Sequence, residues 1–99
     1  VFWGASVSTS SWEDARKSYL TSLRSKLKAF YKSEAESGFS PDKRWLNGFM
    51  AAGFHSGLIG LKELKLENVS AYKKMVGKRM TQAQERRLES RLTKLCKTV

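Results

Sequence analysis

Apolar positions recur along this chain at spacings of three and four, and nowhere in a sustained alternation with polar ones. The clearest stripe is Trp12, Tyr19, Leu20, Leu23, Leu27, Phe30 and Tyr31. At 100° per residue it falls on one face, with Lys17, Arg24 and Lys28 within about 40° of one another on the other. This predicts an amphipathic helix opening at Ser10 or Ser11. Asp14, three positions after Ser11, approximates a capping box, and Glu13 and Asp14 suit the positive helix end. The helix should reach about Glu36, with Ser37 and Gly38 closing it.

Ser40, Pro41 and Asp42 predict a second start, with a serine cap, a proline in the first turn and an acid on the dipole. Trp45, Leu46, Phe49, Met50 and Phe54 form the apolar face of the helix that follows. Gly48, Ala51, Ala52 and Gly53 are small enough to admit a close neighbour. This predicts the central, most buried helix of the fold, ended near Gly57.

The pattern then fragments. Residues 60–66 suggest a short helix, Glu67 and Asn68 a break, and Ser70 the cap of another short helix through Tyr72, Met75 and Val76, weakened by Gly77. That order matches a helix-turn-helix, with Ser70, Ala71, Lys73 and Lys74 projecting from the start of a recognition helix. With Asn68 at the turn, however, the buried position in mid-helix falls on a lysine. Two short helices that merely close the core therefore remain the alternative. Thr81 with Gln84 fits a capping box for a last helix. In it Leu88, Leu92 and Leu95 face inward, Arg87, Arg91 and Lys94 form an adjacent basic stripe, and Glu85 and Glu89 lie on the other flank.

These segments predict an all-α domain, a compact bundle of four or five helices spanning residues 12–99. Its expected core is Tyr19, Leu20, Leu23, Leu27, Phe30, Leu46, Phe49, Met50, Phe54, Leu64, Met75, Val76, Leu88 and Leu92. Trp12 and Trp45 are expected to pack there too, as are Tyr31 and Tyr72. Residues 1–11 carry no charge and are expected to be an N-terminal arm, flexible or docked through Phe2 and Trp3. The missing initiator Met suggests a processed, trimmed or vector-derived start.

Ninety-nine residues suffice for one modest core and no second one. Apolar residues make up 40% of the chain, too many for a wholly disordered basic tail. One cysteine, Cys96, excludes an internal disulfide and a multi-cysteine zinc site, and one histidine, His55, excludes a two-histidine metal site. No cofactor is expected. No apolar run approaches the length of a membrane span.

Catalysis is not expected. His55 reads as a half-buried, hydrogen-bonded residue, and Cys96 as a terminal thiol without a role. The acids recur beside bases at helix spacing, as Glu13 does with Lys17, and no phosphate loop is present.

Charge changes the picture most. The formal net charge is +10, and residues 73–99 hold +7 of it. Such a field attracts polyanions. Lys73, Lys74, Lys78, Arg79, Arg86, Arg87, Arg91 and Lys94 are spread over two consecutive helical segments, a spacing that suits a phosphate backbone. The expectation is a non-enzymatic nucleic-acid-binding accessory or regulatory protein, cytoplasmic or nucleoid-associated. DNA is favoured over RNA because no single-strand RNA signature is present. The alternative is a helical module that binds an acidic protein or its own copy.

Overall fold

Four α-helices and no strand make up the described part of a computed structural model, residues 3–37 and 43–97, with side chains from residue 11 onward. They are α1 (Trp3–Ser37), α2 (Lys43–His55), α3 (Leu61–Val76) and α4 (Gln82–Lys97). The all-α bundle expected from the sequence is present, with four helices.

Helix α1 begins at Trp3, so Ser11 lies inside the helix instead of capping it, and residues 3–11 are helical. No proline interrupts this stretch, and extending a helix already nucleated costs far less than starting one. The predicted closure at Gly38 and start at Ser40, Pro41 and Asp42 lie outside the described residues.

Helix α2 ends in a left-handed glycine, as expected for Gly57 (φ 75°). The Leu58 N–H donates to the Gly53 carbonyl at 2.9 Å and the Gly57 N–H to that of Phe54 at 3.0 Å, a Schellman closure. At the start of α3 the Glu63 carboxylate accepts the Gly60 N–H at 3.2 Å. At the start of α4 the predicted box is complete. The Thr81 N–H donates to Gln84 Oε1 at 2.8 Å, and the Gln84 N–H to Thr81 Oγ1 at 3.2 Å.

The predicted break at Glu67 and Asn68 is absent. Helix α3 runs through both residues without interruption, so the helix-turn-helix placed over this segment does not form. The reason lies in Asn68, which is fully buried. Its Nδ2 donates to the Leu64 carbonyl one turn back at 2.8 Å, and its Oδ1 accepts the Tyr31 hydroxyl at 2.8 Å. A residue that usually competes with the helix backbone is here satisfied within it and across to α1. Gly77 does more than weaken the end of α3. It is the left-handed C-cap (φ 85°), with its N–H on the Lys73 carbonyl.

Packing partners place the helices in the cyclic order α1, α3, α4, α2. Cross-helix contacts give their directions. Tyr19 meets Phe49 and Lys26 meets Trp45, so α2 runs antiparallel to α1. Arg24 meets Glu67 and Tyr31 meets Tyr72, so α3 runs parallel to it. Lys65 meets Glu89 and Tyr72 meets Gln84, so α4 runs antiparallel to α3.

The core consists of Tyr19, Leu23, Leu27, Phe30, Tyr31, Leu46, Met50, Ile59, Leu64, Ala71, Tyr72, Leu88 and Leu92, with Leu20, Phe49, Phe54, Met75 and Val76 among the half-buried residues against it. Every predicted core position is thus buried or half-buried. Trp12 and Trp45 are corrections, being 50% and 60% exposed.

Helix α2 is not the central helix. It buries only Leu46, Met50 and Gly53, a narrow stripe, while α1 and α3 share the most extensive contact. Of its two helical glycines, Gly53 sits against a neighbour, under the Tyr19 ring, and Gly48 does not. Ala52 and Gly48 face outward.

Candidate nucleic-acid interface

The charge pattern of α4 is set by its helical geometry. Leu88 and Leu92 point into the core. Glu85 and Glu89 then fall on the flank toward α3, where both meet Lys65, at 3.7 and 2.5 Å. Arg87, Arg91 and Lys94 lie on the opposite flank, within about 60° of one another at 100° per residue. The acids of α4 therefore face a helix seam, and three of its bases occupy the other side.

The acids of α3 are drawn inward in the same way. Glu63 meets Arg16 of α1, which also donates to the Leu58 carbonyl at 2.6 Å. The Arg16 guanidinium, joined by the Gly60 N–H, holds the Glu63 carboxyl below its ordinary range. Glu67 takes Arg24 in a two-pronged contact, Nε to Oε1 at 3.0 Å and Nη2 to Oε2 at 2.9 Å. These partly exposed pairs contribute little stability each. Their larger effect is on the surface field, because they place carboxylates in the seams.

The eight predicted cations do not form one strip. Lys74 lines a groove between α1 and α3 with Arg24, Lys28, Leu66, Glu67, Ser70 and Ala71. Lys73, its neighbour in sequence, is rotated by about 100° and points to solvent. Lys78 and Arg79 are exposed in the turn between α3 and α4. Arg86 lies on the acidic side, in a depression shared with Lys65, Gln82, Glu85 and Glu89.

Arg87 and Arg91 line a cleft with Lys43 of α2, Glu34 and Tyr31 of α1, and Tyr72 and Gln84. Lys94 is exposed on the same flank of α4. The structure thus keeps Arg87, Arg91 and Lys94 on one flank and adds Lys43 beside Arg87 and Arg91, while Arg24 and Lys28 join Lys74 in the separate α1/α3 groove; none of these three was among the predicted cations. Lys43 carries no signal of its own; only the parallel packing of α2 on α4 brings it to Arg87.

The Tyr31 phenol at this cleft is pushed up to about 12 by burial, against the opposing pull of the nearby Arg91 guanidinium. Its ring meets Phe30 and Tyr72 edge-on, so it belongs to the core and offers no free face. Trp45 does offer one. It stacks on Phe49 with centroids 5.9 Å apart, and Lys26 Nζ sits 4.7 Å from its ring centre.

His55 is exposed at the end of α2, edge-on to Phe54, and not half-buried as expected. Cys96 is half-buried, and burial pushes its thiol up, away from the low pKa of reactive thiols. Among the described residues no three His, Cys, Asp or Glu side chains gather in a metal-holding group, and no helix is long and apolar enough to cross a membrane. Compared with protein-family models, with curated proteins and with solved structures, the chain has no match in any of the three.

Proposed function

We propose that this protein is a non-enzymatic nucleic-acid-binding accessory or regulatory factor. It would engage the phosphate backbone through the outer flank of α4, where Arg87, Arg91 and Lys94 lie together, extended by Lys78 and Arg79 in the preceding turn. The observation that carries this reading is the separation of charge on α4. Glu85 and Glu89 are held against Lys65 in the α3 seam, while the bases of the other flank face away from them. A polyanion approaching that flank meets a field from which the two carboxylates of α4 have been withdrawn, and each phosphate contact releases counterions. Duplex DNA is the favoured ligand.

The test is a mobility-shift titration of nucleic-acid-free protein with duplex DNA and with RNA at two salt concentrations. Binding should fall steeply with salt, and each lost phosphate contact should flatten the log–log slope by about 0.9. Arg87→Glu should weaken binding far more than Arg86→Glu, because Arg86 sits on the acidic flank. Absence of binding at low salt, or equal effects of the two reversals, refutes the reading.

A second reading is favoured by a different observation. Leu66 is 66% exposed and lines a groove together with Arg24, Lys28 and Lys74. An exposed leucine among three basic residues suits an acidic amphipathic segment of a protein partner. In that case Leu66→Ser would disrupt binding more than any charge change, and salt dependence would be shallow.

A further inference from the structure

Glycine inside a helix costs backbone entropy, and packing accounts for it only where a neighbour needs the space. Gly53 meets that need under Tyr19. Gly48 does not. A Cβ there would meet nothing within 4 Å, its φ is not left-handed, and the residue is exposed. Neither the backbone of α2 nor its contacts call for glycine at this position. One turn earlier on the same surface stands Trp45, 60% exposed.

Trp45 has two neighbours on the next turn. At 100° per residue Phe49 falls about 40° to one side of it and Gly48 about 60° to the other. The Phe49 ring lies near-parallel to the indole, at 13°. Lys26 Nζ is 4.7 Å from the Trp45 ring centre and 5.1 Å from that of Phe49. Were Lys26 and Phe49 stacked on opposite faces of the indole, Nζ would lie much farther from the Phe49 ring. One indole face is therefore covered by neither, and on the Gly48 side there is no side chain to close over it. The indole is also held in place. Phe49 stacks at 9° on Tyr19, whose hydroxyl donates to the Phe49 carbonyl. Tyr19, Phe49 and Trp45 thus form a row of near-parallel rings that leads from the core to the surface. A further ring added at its outer end would order little that is not ordered already.

The charge around the indole selects that ring. Helix α2 contains no acid, and its exposed Arg44 falls on the Gly48 side of Trp45. Lys26 adds a second cation from α1. An aromatic ring beside cations suits a nucleobase with its phosphates, the ring taking the base and the cations the backbone. An anchor from a protein partner would call for an apolar surround, which Arg44 and Gly48 do not give. Bases inside a duplex are stacked on one another and offer only their edges, so the occupant is unpaired.

We infer that Trp45 and the gap at Gly48 form a stacking platform for an unpaired nucleobase of a nucleic-acid strand, with Arg44 and Lys26 supplying charge toward its phosphates. The platform takes its ligand class from the nucleic-acid reading above and uses none of the cations of the α4 flank.

The test titrates the full chain with two short single strands of equal length and charge, one carrying bases and one abasic throughout, and with a duplex as reference. The parent should bind the base-bearing strand more tightly than the abasic one. Trp45→Ala should weaken binding of the base-bearing strand by roughly 5–150-fold and leave the abasic strand and the duplex unchanged. Trp45→Phe keeps a ring and should retain part of the preference. Gly48→Gln closes the gap, so it should raise Tm and weaken the base-bearing strand together, a pairing that a purely structural Trp45 would not produce. Should Trp45→Ala fail to fold, Gly48→Gln reads the platform by itself.

Equal binding of the two strands by the parent, or an undiminished preference in Trp45→Ala, overturns the proposal; the second result would leave the indole to a protein partner. Duplex binding that depends on Arg87, with no preference for bases, removes the platform and keeps the α4 flank. A base preference that Trp45→Ala abolishes, with no duplex binding, removes the flank and keeps the platform.

Discussion

Two glycines of α2, Gly48 and Gly53, should respond to alanine with opposite signs. Replacing glycine with alanine inside a helix gains about 0.5–1 kcal/mol from backbone entropy where space allows. At Gly48 a Cβ meets nothing within 4 Å, so that gain should be realised in full. At Gly53 a Cβ would overlap Cζ, Oη and Cε1 of Tyr19. The ring cannot swing aside freely. It is stacked on Phe49 with centroids 4.7 Å apart, and its hydroxyl donates to the Phe49 carbonyl at 2.9 Å. Overpacking of this kind costs about 1–3 kcal/mol, and losing the hydroxyl bond adds about 1 kcal/mol. After the helix gain is subtracted, Gly53→Ala should destabilise the protein by about 1–3 kcal/mol. In a chain of this size each kcal/mol lowers Tm by about 4–8 °C. Urea unfolding followed by tryptophan fluorescence measures both variants. Adding Tyr19→Leu to Gly53→Ala should recover part of the loss, with a coupling of at least about 0.5 kcal/mol. A Gly53→Ala protein as stable as its parent would refute the close approach of α1 to α2 at this point.

Asn68→Leu removes the acceptor of the buried Tyr31 hydroxyl and should cost about 1–3 kcal/mol in urea unfolding; adding Tyr31→Phe should recover most of it, since neither partner is then left unpaired. Thr81→Ala opens the capping box of α4 and should cost about 1 kcal/mol, checked by thermal unfolding; an unchanged Tm would refute the cap's contribution. Burial raises the Tyr19 and Tyr31 phenols from 10.0 to about 12. Their unfolded counterparts ionise first, so the stability they confer is complete below pH 10 and is lost as the pH climbs toward 12. Absorbance titration of phenolate in the native protein checks this, and ionisation of both near pH 10 would refute their burial.

How far the sequence could be read depended on whether a residue's role was local. The Thr81 and Gln84 box, the Gly57 closure and the stripes through Leu23, Leu27, Leu88 and Leu92 follow from spacing and cap chemistry within a few residues, and they are present as expected. Asn68 misled because its helical place depends on Tyr31, 37 positions away. Ignoring its polarity, Leu64, Asn68, Ala71, Tyr72 and Met75 already mark one continuous helical face, and that was the available signal. Trp45 misled for the opposite reason. Its place on the apolar stripe is real, but Phe49 stacks on one side of the indole, Lys26 Nζ sits close to both rings, and the indole stays 60% exposed. The basic residues were legible as a charge excess and not as an arrangement. Neighbours such as Lys73 and Lys74 or Arg86 and Arg87 diverge by a helical turn angle, and Lys43 joins Arg91 only through tertiary packing.

The amide of Asn68 gives an otherwise greasy interior a sense of position. Leucines on α1 and α3 would tolerate sliding by one turn, because one hydrocarbon neighbour replaces another at little loss. The Tyr31 hydroxyl has no such substitute, and a slipped pairing would strand it together with the amide oxygen in a dry environment. This buried polar clasp therefore works as a registration pin between two parallel helices, penalising misaligned and strand-exchanged assemblies that greasy contacts alone would allow.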